Sequence, residues 1–281
     1  MQVFRYAAFT VDPVGGNPAG VVLDATGTDD ATMLATAADI GYSETAFLVP
    51  LEEEDKGEFG IRYFSPRAEV SFCGHATIAT AVAHAERHGV GTLRLRTKVG
   101  MVTVTTSTLE DGLVVATLVS VAPCSVPIPD LVLAELLAAL RWSADELDPA
   151  LPPRAAYGGA WHPIIAAASR ERLADLDYDF SALAELMDRE GWATIDLVQQ
   201  ESPTVYHARN PFPPGGVVED PATGAAAAAF GGYLRELGMV APPSDLTVLQ
   251  GYDMGRPSII KVSLPAEPGS GIAVSGSAVA L

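Results

Sequence analysis

FSPRAEVSFCGHATIATAVAHAERHG, residues 64–89, changes character in its middle. A short alternating segment gives way, at Cys73-Gly74-His75, to a run of small apolar residues with helical spacing that stops near Gly89. A cysteine and a histidine therefore stand at the mouth of a helix. VVEDPATGAAAAAFGGYLRELG, residues 217–238, follows the same plan with an aspartate at the mouth. The two regions align without a gap: Arg62 with Arg209, Pro66 with Pro213, Val70 with Val217 and Cys73 with Asp220. Agreement over such a span points to two lobes of one design. Chance agreement among a few informative residues is the competing explanation.

The first turn of a helix carries unpaired backbone N–H groups, and these attract anions. Gly74-His75-Ala76-Thr77 and Pro221-Ala222-Thr223-Gly224 are thus candidate carboxylate binders, provided the two helices meet across a lobe interface. The small-residue runs ATIATAVA and GAAAAAFGG suit tight burial at the centre of each lobe. The plainer reading is a pair of ordinary buried helices with polar caps.

Four side chains could carry chemistry, each with a plainer alternative. Cys73 could be a nucleophile or proton carrier, because a helix N-terminus lowers a thiol's pKa; a buried spectator is equally compatible. His75 could exchange a proton near neutrality, or serve as a cap. Asp220 could hold a substrate amine or hydroxyl while acting as the N-cap of its helix. Glu44, in GYSETAFL, opens an apolar strand and could act as a general acid/base at a cavity rim; by residue type alone, surface exposure is the default. No glycine-rich phosphate loop, G-x-S-x-G elbow or convincing metal set is present. His84 and His88 are four apart on a helix, but they lie at its end, where histidine complements the dipole.

Across the rest of the chain, strands are expected near residues 2–9, 19–23, 44–49, 59–64, 92–97, 101–106, 113–119, 162–167, 193–199, 204–208, 246–249, 258–264 and 271–274. Helices are expected from Asp29 or Asp30 to about Ile40, at 131–140 with Asp130 as cap, and at 179–190. The acidic run EEEDKGE reads as a solvated hairpin or loop. Isolated helices among many short strands argue for an α+β fold. The proline-rich APCSVPIPD marks a boundary between residues 1–120 and 121–265.

With 281 residues, 48% of them hydrophobic, the chain can bury one large core or two modest ones. Its 35 acidic against 17 basic residues give a formal charge of -18, which makes nucleic acid or an anionic membrane a poor partner. Two cysteines, Cys73 and Cys124, are no disulfide framework, and a buried thiol is the plain expectation for each. The N-terminal residues do not read as a signal peptide, and no apolar run reaches membrane length. A cytoplasmic protein is expected.

The motifs GNPAGVV, GYSETAFL, FSPRAEVSFCGHATIATA, EDPATG and MGRPS, in that order over most of the chain, resemble the PhzF-like proteins, the phenazine-biosynthesis-like branch of the diaminopimelate epimerase fold. The resemblance implies two pseudo-symmetric lobes. Each is a curled sheet or barrel around one central helix, with a site in the cleft between lobes. It also implies that residues 266–281 return to the first lobe, and that the protein is a homodimer. It assigns the proton-moving glutamate to Glu44, further catalytic roles to His75 and Asp220, and substrate contacts to Cys73, Gly74, Ala76, Thr223, Gly224 and Ala225. No cofactor or metal takes part. Ala225 stands where the phenazine enzyme has a serine. Cys73 stands where racemase relatives carry one catalytic cysteine, and Asp220 replaces the second, so a symmetric two-thiol racemase does not fit. The expected activity is a cofactor-independent isomerase moving a proton within a small carboxylic acid. The alternatives are a racemase or epimerase pairing Cys73 with Glu44 or Asp220, and a noncatalytic metabolite-binding protein.

Overall fold

The computed structural model describes residues 1–51 and 57–281. Most of the acidic run EEEDKGE falls at 52–56, outside the described residues. The chain forms two compact units, Met1–Val119 with Ser275–Leu281, and Ser120–Val274. The first break, between Val119 and Ser120, comes just before the proline-rich passage that begins at Ala122. The second lies later than the 265/266 division drawn from the sequence.

The first unit contains β1 (Phe4–Ala8), β2 (Asn17–Val22), α1 (Asp30–Ile40), β3 (Glu44–Pro50), β4 (Glu58–Phe64), β5 (Glu69–Val70), α2 (Gly74–His88), β6 (Thr92–Thr97), β7 (Gly100–Thr108) and β8 (Val114–Val119). Its sheet runs β1-β2-β3-β4-β6-β7-β8, with β2–β3 and β4–β6 parallel and the other pairs of known register antiparallel. The last strand, β17 (Ala273–Ala280), pairs with both β8 and β1 and closes the ring. Closure removes the free edges an open sheet would present. α2 threads this barrel and packs on β1, β2, β3, β7 and β8. Its alanines 76, 79, 81 and 83 are almost wholly buried, so the surrounding strands can come close. α1 begins where expected: Asp29 accepts a hydrogen bond from the Thr32 N–H at 2.7 Å, and Gly41 ends it with φ of 73°.

The second unit contains β9 (Cys124–Pro127), α3 (Asp130–Leu140), β10 (Arg154–Tyr157), β11 (Trp161–Ala166), α4 (Arg170–Ala174), α5 (Phe180–Glu190), β12 (Asp196–Ser202), β13 (Val205–Phe212), β14 (Val217–Asp220), α6 (Gly224–Glu236), β15 (Ser244–Gln250) and β16 (Ser258–Leu264). Its order is β9-β10-β11-β12-β13-β15-β16, with β11–β12 and β13–β15 parallel. Strand by strand this repeats the β17-β1-β2-β3-β4-β6-β7 run of the first unit, parallel pairs included. Here α6 is the enclosed helix, packed on β9, β10, β11 and β16. Outside the sheet, α3 and α5 pack together around Leu136, Leu140, Leu183, Leu186 and Trp192.

Several local expectations differ from the structure. Asp130 is not a cap; it is the first residue of α3, after Pro129. Asp220 is not a cap either: it ends β14, and Thr223 takes the N-cap position of α6. The 193–199 strand begins only at Asp196, and the final strand runs on to Ala280. Cys124 is exposed, at the start of β9, while Cys73 is buried; neither forms a disulfide. Among the described residues, no helix is long and apolar enough to cross a membrane.

Candidate active site

In the first unit, the β3 start and the α2 start bring Glu44, Cys73 and His75 together. The Cys73 thiol lies 3.5 Å from Glu44 Oε2 and 3.4 Å from His75 Nδ1. His75 Nε2 lies 3.5 Å from Glu44 Oε2 and 3.4 Å from Ser43 Oγ. The Glu44 and His75 side chains are only 15% and 7% exposed, so the cluster is largely shielded while the carboxylate keeps some access. Glu44 is therefore not the surface residue its type suggests, and His75 sits in the first helical turn rather than at the cap.

The rigidity of this mouth comes from behind it. Thr77 Oγ1 donates to the Cys73 carbonyl at 2.6 Å, and the Tyr63 hydroxyl meets Thr77 Oγ1 at 2.6 Å. Burial drives the Tyr63 pKa well above the phenol range, so its proton stays on. Cys73 supplies no side-chain cap to α2. A Cβ added at Gly74 would meet nothing within 4 Å, so the space before the first turn is open. Ala76, in that first turn, is wholly buried.

In the second unit, Asp220, Thr223, Gly224 and Ala225 form the corresponding mouth. The Thr223 hydroxyl donates to Asp220 Oδ2 at 2.6 Å. Gln250 then holds the turn. Its amide nitrogen donates to the Asp220 carbonyl at 2.8 Å and to Thr223 Oγ1 at 3.0 Å, and its Oε1 accepts from the Thr223 N–H at 3.0 Å. Sequence reasoning missed Gln250, a single polar residue ending a distant strand. It also passed over Ser43, although Ser43 lies inside the quoted GYSETAFL.

Behind Asp220 lies a directed hydrogen-bond chain. His162 Nδ1 lies 2.8 Å from Thr194 Oγ1, Thr194 donates to Asn210 Oδ1 at 2.6 Å, and Asn210 donates to Asp196 Oδ1 at 3.0 Å. Since the Thr194 proton goes to Asn210, His162 must carry its proton on Nδ1. Asn210 pairs directly with Asp220 across β13 and β14. Burial pushes Asp196 up to about 7, against a smaller opposing effect of the Asn210 bond, and pushes His162 down to about 4. Thr194 and Asp196 carried no signal in the sequence, and the four residues lie in three separate segments.

Arg62 and Arg209, aligned with each other in the sequence, each tie two strands of their own unit together. Arg62 forms a bidentate pair with Glu69, both contacts at 2.8 Å, and reaches Asp30. Arg209 forms the matching pair with Glu219, at 2.9 and 2.5 Å. Each pair fastens the hairpin that leads into the enclosed helix of its own unit.

Comparison with known proteins agrees with this architecture. The family model for the phenazine biosynthesis-like protein, PhzC-PhzF, matches residues 6–281. An uncharacterized isomerase of Escherichia coli O157:H7, YddE, is 31% identical over 100% of this chain and 96% of its own length. Trans-2,3-dihydro-3-hydroxyanthranilate isomerase of Pseudomonas fluorescens is 31% identical over 97% of this chain and 94% of its own. Among solved structures, a PhzF-family phenazine biosynthesis protein of Bacillus anthracis superposes with a TM-score of 0.88 at 26% identity, over 100% of this chain and 98% of that one. With the full length matched in sequence and in fold, the chain belongs to the phenazine biosynthesis-like (PhzC-PhzF) protein family.

Proposed function

We propose that this chain is an isomerase that moves a proton within a small carboxylic acid, with Glu44 as the proton carrier. Its family relatives are isomerases, which supports an isomerase-type enzyme over a noncatalytic binding protein. The observation that carries the assignment is the shielded Glu44 carboxylate, held within 3.5 Å of both Cys73 Sγ and His75 Nε2 at the open mouth of α2. A general base has to be both positioned and reachable, and this carboxylate is both.

Glu44 takes a proton from an activated C–H of the substrate. The electron pair left behind delocalises into the adjacent π system, and the same proton returns at another carbon. No electrons are gained or lost overall, so the reaction needs no redox partner. His75 orients the substrate or shares the proton. First-turn N–H groups at Gly74 and Ala76 stabilise the carboxylate or the developing negative charge. Asp220 accepts from a substrate amine or hydroxyl, with Thr223, Gly224 and Ala225 lining its mouth. A cytoplasmic homodimer is the proposed working form; light scattering of the purified protein tests the dimer.

The racemase alternative pairing Cys73 with Glu44 is disfavoured by geometry. Two bases on opposite faces of one carbon need to stand about 6 Å apart, roughly twice a near-attack distance. These two are 3.5 Å apart and so address one face. Pairing Cys73 with Asp220 remains the second reading, and product analysis separates it.

The test is a panel of small carboxylic acids incubated in deuterated water and read by mass spectrometry and NMR. Relocation of a proton between carbons, nearly abolished in a folded Glu44→Gln variant, is the expected result. Unchanged turnover in that variant removes Glu44 as the base, and inversion at a single carbon replaces isomerisation with racemisation.

A further inference from the structure

We propose that Glu44, Cys73 and His75 form a binding site for a borderline-soft divalent cation, Zn2+ foremost, each residue giving one ligand and one coordination position staying open. The three ligand atoms lie within 4.8 Å of one another. The two sulfur contacts, at 3.4 and 3.5 Å, suit hydrogen bonds as well as a coordination shell, whereas the nitrogen–oxygen contact suits the shell better. His75 Nε2 to Glu44 Oε2 is 3.5 Å, longer than the 2.7–3.2 Å range of a good N–H···O bond. A tetrahedron built from ordinary Zn–S, Zn–N and Zn–O bond lengths has edges of about 3.4–3.6 Å. The observed edges are 3.5 Å for Cys73 Sγ to Glu44 Oε2, 3.5 Å for His75 Nε2 to Glu44 Oε2 and 3.8 Å for Cys73 Sγ to His75 Nε2. The three edges match such a tetrahedron, and because Cys73 Sγ also lies 3.4 Å from His75 Nδ1, the imidazole turns about its side-chain torsions to aim a ring nitrogen at the shared ion.

The donor chemistry narrows the cation. One thiolate, one imidazole and one carboxylate suit zinc and cobalt; a hard ion such as Mg2+ prefers an all-oxygen set. The N-terminus of α2 opposes a cation with roughly half a positive charge. A thiolate and a carboxylate together bring two negative charges, which outweigh it. All three ligands stand at the ends of regular elements, and the Thr77 bond to the Cys73 carbonyl fixes the thiol's backbone. Three protein ligands leave the fourth tetrahedral position to a water or a substrate oxygen, and ion binding to Nε2 replaces its 3.4 Å contact with Ser43 Oγ. Binding expels the thiol proton to solvent.

The site also implies a regulatory consequence. A cation bound to Oε2 of Glu44 occupies the atom proposed to carry the proton, so metal binding and turnover exclude each other. This consequence rests on Glu44 being the base; the binding site does not.

Co2+ titration of the purified chain, without substrate, tests the site. One equivalent should bind and give a thiolate-to-cobalt charge-transfer band, displaced by Zn2+. Cys73→Ser should abolish the band while circular dichroism shows an intact fold. Glu44→Gln should weaken Zn2+ binding by at least about tenfold, since loss of an outer-shell partner alone costs that much at metal sites. Cys124→Ser, at the exposed thiol, should leave the band unchanged. Absence of the band in the wild type, its survival in Cys73→Ser, or its loss in Cys124→Ser each overturns the site. In the turnover assay, Zn2+ should inhibit and a chelator restore activity. Full turnover with Zn2+ demonstrably bound would remove Glu44 as the base and leave the metal site standing.

Discussion

Gln250 shows how one side chain can hold a site it does not line. Its amide satisfies the Asp220 carbonyl, the Thr223 N–H and the Thr223 hydroxyl at once. Gln250→Leu leaves these groups short of partners, and each buried unsatisfied group costs about 1–3 kcal/mol. Urea denaturation should show a loss of at least that size, and turnover should fall as Asp220 loses its fixed position. The Asp196–His162 chain carries a second prediction at this scale. Asp196 is raised to about 7, so the folded state holds an extra proton and its contribution is lost as pH rises toward that value. His162 is lowered to about 4, so the folded state lacks a proton and its contribution is lost as pH falls toward that value. Between about pH 4.5 and 6.5 the two slopes oppose each other, each about 1.4 kcal/mol per pH unit. Asp196→Asn should leave stability rising with pH across this window, and His162→Gln should leave it falling. Urea midpoints measured across the window check both signs; a slope of the same sign in both variants would rule out the paired titration.

Elements are fastened by the same device in two settings that differ in burial. The Arg209 and Glu219 side chains are 9% and 4% exposed, whereas Arg62 and Glu69 are 30% and 14% exposed. Removing one partner of a buried pair strands the other charge and costs about 3–5 kcal/mol. An accessible pair is worth about 1 kcal/mol or less. Glu219→Ala should therefore destabilise the protein severalfold more than Glu69→Ala, by chemical denaturation. The enclosed helices set a second element-scale test. A Cβ at Gly158 would sit 2.7 Å from the Ala229 backbone nitrogen and 3.1 Å from the Ala225 carbonyl, both on α6. Neither backbone atom can give way cheaply, so Gly158→Ala should cost about 1–3 kcal/mol and lower Tm. Gly74→Ala, whose added methyl meets open space, should leave stability within about 0.5 kcal/mol and act, if at all, on turnover.

At the scale of the whole molecule, β17 is the closing piece of the first unit. The Phe9 N–H donates to the Ser277 carbonyl at 2.7 Å, and the Leu281 N–H to the Arg5 carbonyl at 2.9 Å. Deleting residues 275–281 opens the ring and bares the edges of β1 and β8. Thermal unfolding of such a truncation should show a lowered or absent transition, and size-exclusion chromatography should show aggregates. The second unit repeats the pairing scheme of the first down to its two parallel pairs. The gapless alignment of the 62–73 and 209–220 regions has this repeated plan as its structural counterpart.

Local signals determined what local physics controls. Asp29 as a cap, Gly41 as a left-handed helix end, and the span of β16 follow from short-range chemistry and were readable from residues a few positions apart. The two helix mouths were readable too, because the strand-turn-helix pattern and the small-residue runs are contiguous. What only the tertiary structure decided involves contacts between distant segments. Asp220 loses the cap position because the Gln250 and Thr223 network holds the turn in another shape. Cys124 is exposed and Cys73 buried, a difference that depends on what packs over each strand and helix start. The spacing of Glu44, Cys73 and His75 depends on how β3 lies against α2, and a one-dimensional string does not contain that distance.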